Sequence, residues 1–395
     1  MNKKHFSFII ILSLVIFLAC KDSPEINDDI MSLPPLKDQF SKYFDMGNVF
    51  NTRDVSGGRI SNERLTRHYN VLTAENHMKP SYLSPSRGSY NFTHANSMVD
   101  AAIASGFKVV GHTLLWHSQI PGWQANLRND NTSPAVALQY MKDYITSVVT
   151  EFKGRVYKWD VLNEAFPEGG YSATWRTSMR SGSQGNPWFM KIGADFVYEG
   201  FLAARLADPD AILYYNDYNL NHNNPNVSVT SKTTMVRDMV RDVNQQYKDA
   251  LPALKVSYPQ IDLSRTDKLI EGIGLQSHHN TGVTPESVSR SFDIFRPLGV
   301  KISISELDVL SQSYGDFEDK KSPTEAGKTK AAELYGEYFK VFLNNADIIE
   351  RVTFWGVTDN ESWRAAGLPL LFDSKGAAKP AYNKIIEALE SISRN

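Results

Sequence analysis

Short apolar runs rich in β-branched residues recur along the chain, each bounded by polar or turn-forming residues. Eight of them, at 43–50, 69–75, 107–114, 156–163, 211–216, 269–276, 300–306 and 351–355, read as strands. Two are especially telling. KWDVLNEA carries Asn163 and Glu164, and VKISISELDV carries Glu306, so each apolar run meets a carboxylate at its C-terminal end. A strand buried on both faces of a parallel sheet delivers an acid to a shared rim in this way. Between most of the runs lie stretches with apolar residues at helical spacing, among them 133–152, 188–206 and 324–343. Eight strands alternating with helices predict an α/β fold of the (β/α)8 barrel type. The connections are longer than a minimal barrel needs. The longest, 220–268, has helical character at 231–250 and reads as an elaborated rim loop, being too short and too polar for a core of its own.

The expected strand ends carry an unusual set of groups: Glu75-Asn76 with Lys79, His112 with Trp116 and His117, Asn163-Glu164, Asn216-Asp217-Tyr218, Gln276 with His278, Glu306 with Asp308, and Trp355. Taken singly, each has a bland reading. A strand-end glutamate caps a helix or faces solvent, Trp116 fills core, and Lys79 sits on the surface. The histidines lack the helical spacing of a zinc site. Together, amide, carboxylate, imidazole and indole groups on nearly every spoke of one barrel make a cleft for a sugar ring, which takes hydrogen bonds at its edge and an aromatic plate on its apolar face.

Composition narrows the partners. Lys and Arg total 42 against 44 Asp and Glu, a net charge of −2 without a basic run, so nucleic acid has no electrostatic footing and a neutral polymer is the better match. Aromatic content of 11%, with seven tryptophans, is compatible with carbohydrate stacking. At the N-terminus Lys3 and Lys4 precede a mostly apolar run from Phe6 to Ala19, too short to span a bilayer as a helix. Cys20 follows directly and is the only cysteine, so no disulfide forms within the chain. This arrangement resembles a bacterial lipoprotein signal, with residues 1–20 the signal, Cys20 the lipidated position and 21–35 an acidic, proline-containing tether. The resemblance implies an exported lipoprotein at the outer membrane or cell surface, touching membrane only through the lipid.

From Leu36 to Ala388 the chain resembles glycoside hydrolase family 10, the endo-β-1,4-xylanases. The motifs are TAENHMKP (73–80), GHTLLWHSQIPGW (111–123), WDVLNEA (159–165), YYNDYN (214–219), GIGLQSH (272–278), ISELD (304–308) and TFWGVTDNESW (353–363). The resemblance implies a single catalytic barrel over 36–395, acting as a monomer on xylan or xylo-oligosaccharides without cofactor or metal. It implies Glu164 as general acid/base and Glu306 as nucleophile, with Asn163 on the 2-hydroxyl of the attacked sugar. Glu75, Asn76 and Lys79 correspond to the group holding the next sugar toward the non-reducing end, and Trp116, Trp355 and Trp363 to the walls around it. His112, Gln119, Tyr218 and Gln276 fall on substrate-contacting positions, and His278 and Asp308 on the pair that supports the nucleophile. Ser305, Tyr144 and Asn96 depart from the usual Thr, His and Asp. The segment 166–187 and the connection 220–268 are expected to reshape the leaving-group side. A β-1,4-glucanase on the same barrel is the nearest alternative, since a hydroxymethyl group is a modest steric distinction. A non-catalytic glycan-binding lipoprotein would have lost Glu164 or Glu306, and both are present. A phosphate-handling barrel would show a glycine-rich anion loop near its last strands, where this chain has Asp316, Glu318, Asp359 and Glu361.

Overall fold

The computed structural model describes residues 32–226 and 228–393. The apolar N-terminal run, Cys20 and the tether as far as residue 31 lie outside the described residues. Eight strands form the barrel: β1 (Asp45–Phe50), β2 (Val71–Ala74), β3 (Lys108–Leu115), β4 (Lys158–Asn163), β5 (Ile212–Asp217), β6 (Gly272–Leu275), β7 (Lys301–Val309) and β8 (Ile349–Phe354). Each pairs in parallel with its sequence neighbour, and β8 also pairs with β1, from Asp45↔Arg351 to Asn48↔Phe354, which closes the sheet. The expected (β/α)8 barrel is therefore present. Each strand is followed by a barrel helix: α1 (Glu63–His68), α2 (Thr93–Ala104), α3 (Pro134–Glu151), α4 (Phe196–Ala207), α5 (Lys232–Ser257), α6 (Pro285–Phe295), α7 (Glu325–Asn344) and α8 (Pro380–Ser393), with short helices at Pro80–Leu83, Gly122–Asn126, Pro187–Ile192 and Tyr314–Glu318 in the connections.

The strands are apolar on consecutive positions because helices cover them outside and side chains fill them inside. Every residue of β2 and of β4 is buried. The interior also holds polar groups that partner one another. Arg351 Nε donates to Ser303 Oγ at 3.0 Å and its Nη1 to Thr73 Oγ1 at 3.1 Å, and buried Lys158 pairs with Glu350. Bulky rings reach across to the neighbouring strand and leave room there for glycine alone. A β-carbon on Gly272 would lie 2.0 Å from the Tyr214 ring, and one on Gly111 would lie 2.2 Å from Trp159.

Two expectations change. The stretch 188–206 is not one helix but Pro187–Ile192 followed by α4, because Gly193 turns the chain at φ 85°. The connection 220–268 is mostly barrel helix, not added loop: α5 runs 26 residues and continues past Pro252. Inside a helix, proline removes one backbone bond and crowds the carbonyl four residues earlier, at a cost of about 3 kcal/mol that the rest of α5 has to offset.

Ring-filled space at β6 makes an overpacking prediction. Gly272→Ala is expected to destabilise the barrel by about 1–3 kcal/mol, read as a lower urea midpoint at unchanged slope, and an unchanged midpoint would show that Tyr214 moves aside freely.

Candidate active site

All eight strands point their C-terminal ends at one rim, and three of the four register irregularities in the barrel fall toward those ends, the fourth lying between Ile302 and Ser303. The three lie between His112 and Leu115 in β3, between Asp160 and Leu162 in β4, and between Ile304 and Leu307 in β7. Such irregularities re-aim side chains locally.

Glu164 follows β4 at φ 56°, a left-handed conformation that costs a non-glycine residue about 1–2 kcal/mol. The cost has a geometric return. Consecutive residues of a strand face opposite sides, but the left-handed turn brings Asn163 and Glu164 together, with Asn163 Nδ2 donating to Glu164 Oε1 at 3.2 Å. Trp116 Nε1 donates to Glu164 Oε2 at 2.9 Å, and Gln276 Nε2 donates to Oε1 at 2.9 Å. His117 Nδ1 lies 3.9 Å from Oε2. Burial, reinforced by Arg180, Arg128 and Lys232, pushes the His117 imidazole down to about 3, so it stands beside Glu164 as a neutral ring.

Glu306 is buried on β7. Asn216 Nδ2 donates to its Oε1 at 2.7 Å, and His278 Nε2 lies 3.1 Å from its Oε2. Two positions along the strand, on the same face, Asp308 Oδ2 lies 3.0 Å from His278 Nδ1. Both imidazole nitrogens thus face carboxylates and both must donate. Burial alone would lower the His278 pKa, but Asp308 and Glu306 outweigh it and raise it from 6.5 to about 9. Burial likewise works against the Asp308 anion, yet His278 and Arg364 hold its carboxyl below the usual range. Arg364 Nη1 donates to Asp308 Oδ1 at 2.6 Å and Trp363 Nε1 to Oδ2 at 3.0 Å.

The two glutamates are joined through one run of amides. Gln276 Nε2 reaches both Glu164 and Asn163 Oδ1, the latter at 3.2 Å, and Asn216 Nδ2 reaches Asn163 Oδ1 at 2.9 Å as well as Glu306. Ser305 Oγ donates to Asn216 Oδ1, so the serine that departs from the usual threonine still supplies the hydroxyl.

On another side of the rim Lys79 Nζ donates to Gln119 Oε1 at 2.7 Å and to Asn76 Oδ1 at 3.2 Å, and lies 5.2 Å from the Trp116 ring centre. Burial lowers the Lys79 pKa, while Glu306, Glu75 and Glu164 oppose the shift. Glu75 accepts from Asn51. His112 Nδ1 lies 3.0 Å from Asp160 Oδ2, and its ring packs edge-on against Trp355 at 5.4 Å. Trp363 is 63% exposed and crosses His278 at 5.0 Å, an open aromatic face beside Glu306. Tyr218 sits apart from these, its hydroxyl accepting from Arg180 Nη2 at 2.9 Å and its ring centre 3.4 Å from Lys232 Nζ.

The structure thus gathers Glu75, Asn76, Lys79, His112, Trp116, Gln119, Asn163, Glu164, Gln276, His278, Glu306, Asp308, Trp355 and Trp363 at one cleft. Tyr218 joins through Arg180, which also reaches the Glu164 carbonyl. Sequence reasoning named Asn216 only among the strand-end groups and did not single out Asn51, Asp160 or Arg364. Asn216 was visible as a strand end in YYNDYN, whereas Arg364 lies in an aperiodic loop where only adjacency to Trp363 marks it.

Protonated His278 carries a pH signature. Its folded pKa near 9 exceeds the unfolded 6.5, so its contribution is complete below pH 6.5 and lost as pH rises through 9. The unfolding free-energy difference between the native chain and His278→Gln is expected to shrink by about 3 kcal/mol from pH 6 to pH 10. A pH-independent difference would refute the imidazolium.

The chain matches the description "Glycosyl hydrolase family 10" over residues 35–388. It is 32% identical to an endo-1,4-beta-xylanase of Geobacillus stearothermophilus over 90% of this chain and 98% of that one. It is also 32% identical to an exoglucanase, XynX, of Acetivibrio thermocellus over 91% of this chain, but spans only 30% of that protein's length. A crystal structure of a GH10 xylanase with a bacterial Ig-like domain, from termite gut, superposes with a TM-score of 0.83 at 48% identity, covering 93% of this chain and 80% of that one. An intracellular xylanase of Thermoanaerobacterium saccharolyticum, solved as a mutant with xylotetraose, superposes with a TM-score of 0.73 at 30% identity, covering 90% and 98%. With its barrel, its rim and its motifs in agreement with these proteins, the chain belongs to glycosyl hydrolase family 10.

Proposed function

We propose that this chain is an endo-acting β-1,4-xylanase that cleaves xylan or xylo-oligosaccharides with retention of anomeric configuration. The observation that carries the reading is the amide run Gln276–Asn163–Asn216, which ties Glu164 and Glu306 into one site while giving each a different set of donors. The relatives named endo-1,4-beta-xylanase and the xylotetraose complex of a family neighbour support the choice of substrate.

Glu306 attacks the anomeric carbon as a carboxylate while Glu164 gives its proton to the departing oxygen, leaving a glycosyl ester on Glu306. Glu164, now ionised, takes a proton from water as that water attacks the anomeric carbon and breaks its bond to Glu306, which restores both carboxyls and frees the sugar. Trp116, Asn163 and Gln276 hold the Glu164 carboxyl in place through this exchange. His278 and Asn216 do the same for Glu306. Glu75, Asn76 and Lys79 are the polar group assigned to the next sugar, with Gln119 and Asn76 holding the Lys79 ammonium. We further propose that Cys20 carries lipid and that residues 21–35 tether the enzyme to the outer membrane or cell surface.

Two experiments test these readings. Glu164→Ala should lose roughly 100- to 10,000-fold on xylan yet still form the glycosyl-enzyme from a dinitrophenyl xylobioside, whose leaving group needs no proton. Azide should then accelerate turnover and yield a β-glycosyl azide, whereas Glu306→Ala should be inactive on both substrates. Equal inactivity of the two variants on the aryl glycoside, with no azide response from Glu164→Ala, would end this division of roles. For the anchor, Cys20→Ser should abolish incorporation of labelled fatty acid and release the protein from the membrane fraction; unaltered labelling and fractionation would dismiss lipidation.

A further inference from the structure

Behind Glu164 lies a set of charged and hydroxyl groups that the proposed reaction does not use. Four consecutive main-chain groups there are held in place. The Glu164 N–H donates to Asn216 O at 2.9 Å, the Glu164 carbonyl accepts from Arg180 Nε at 3.4 Å, the Ala165 N–H donates to the Tyr215 hydroxyl at 3.1 Å, and the Ala165 carbonyl accepts from the Arg180 N–H at 2.7 Å. Tyr215 accepts from Ala165 because its own proton is committed to Asp217 Oδ2. The other Asp217 oxygen takes Lys232 Nζ at 2.8 Å and the Tyr218 N–H at 2.9 Å.

Lys232, at the start of α5, extends the arrangement outward. Besides Asp217 it meets Glu168 Oε1 at 2.8 Å, and so joins the end of β5 to the loop 166–187. It also lies over the Tyr218 ring, whose hydroxyl accepts from the same Arg180 that grips the Glu164 and Ala165 carbonyls. Asp217 and Tyr215 are fully buried, so neither can touch a sugar. A hydroxyl whose proton is fixed by a carboxylate presents its lone pair in one direction, and removing that carboxylate frees the hydroxyl to rotate.

We propose that Asp217 and Lys232, acting through Tyr215 and the Arg180–Tyr218 pair, are positioning residues that keep the main chain at Glu164 in the left-handed turn from which its carboxyl reaches the leaving-group oxygen. The inference rests on the reading of Glu164 as acid/base. It makes Lys232 the link by which the shape of the leaving-group loop bears on proton transfer.

A purely structural role would lower activity on every substrate, whereas misplacing the acid affects only leaving groups that need a proton. The test compares kcat/KM on xylotetraose with kcat/KM on a dinitrophenyl xylobioside, for the full chain and for Tyr215→Phe, Asp217→Asn, Lys232→Met and Lys232→Arg, with Glu164→Ala alongside. Tyr215→Phe and Asp217→Asn are expected to lose roughly 10- to 100-fold on xylotetraose and under about 3-fold on the aryl glycoside, at a melting temperature that leaves both folded in the assay. Lys232→Met should follow them and Lys232→Arg should recover to within about 3-fold of the native chain. If Asp217→Asn does not fold, Tyr215→Phe, which removes one oxygen atom, decides the matter. Equal losses on both substrates, or no loss on xylotetraose, overturn the proposal. If Glu164→Ala is selective for the leaving group and the Tyr215 and Asp217 variants are not, the positioning role alone falls. If Glu164→Ala is not selective, the acid/base reading falls, and the positioning role with it.

Discussion

The side-chain amide of Asn216 is the joint on which the rim depends. Its oxygen is occupied by Ser305, and its nitrogen is divided between Asn163 and Glu306. No bond can be dropped cheaply, because a buried amide that loses a partner pays about 1–3 kcal/mol of desolvation. The amide therefore fixes the distance between β4 and β7 across β5 and β6 and, through Gln276, the relation of Glu164 to Glu306. Room for it comes from Gly274, where a β-carbon would lie 2.2 Å from Asn216 Oδ1. A glycine in a strand interior usually weakens the strand; here it is the condition for the amide to lie flat between neighbours.

Charge is organised around the two glutamates with the same economy of position. On one side His278 stands between Glu306 and Asp308, and Arg364 closes the far side of Asp308. Along Glu306, His278, Asp308 and Arg364 anion and cation alternate, so each of these charges has an opposite one in hydrogen-bond reach. On the other side, Glu164 has neutral neighbours in Trp116, Gln276 and uncharged His117. One carboxyl is thus met by a cation and the other by dipoles. Similar residues three spokes apart on the barrel acquire different chemistry from this contrast.

Much of the fold was legible because a parallel barrel needs strands buried on both faces, and such strands read as continuous apolar runs. The eight expected runs overlap the eight strands, with boundary shifts of a few residues, as at β6, where 269–276 contracts to Gly272–Leu275. Helices were harder. The break at Gly193 lies inside a window whose apolar spacing continues on both sides, and α5 runs on through Pro252 to Ser257, beyond the 231–250 that the sequence suggests. The cleft was legible as far as strand ends announce themselves. What stayed hidden was partnership: Asn51 beneath Glu75, Asp160 behind His112 and Arg364 behind Asp308 are polar residues whose neighbours lie 24 to 56 positions away.

The hidden partners share a physical character that explains both their silence and their importance. Pattern reading detects residues by what they do to a single element: apolar periodicity, a cap, a terminal carboxylate. Asp217, Lys232 and Arg180 do little for the elements that carry them. Lys232 opens a helix whose N-terminal end would favour an anion, and Asp217 is a carboxylate with no exposure at the end of a strand. Each is locally unfavourable and makes sense only against the other, since the ammonium neutralises the buried carboxylate and the carboxylate holds the ammonium where the helix alone would not. A barrel stores such locally unfavourable choices at its C-terminal rim because the rest of the scaffold, with its buried strands and close-packed helices, is stable enough to hold them there.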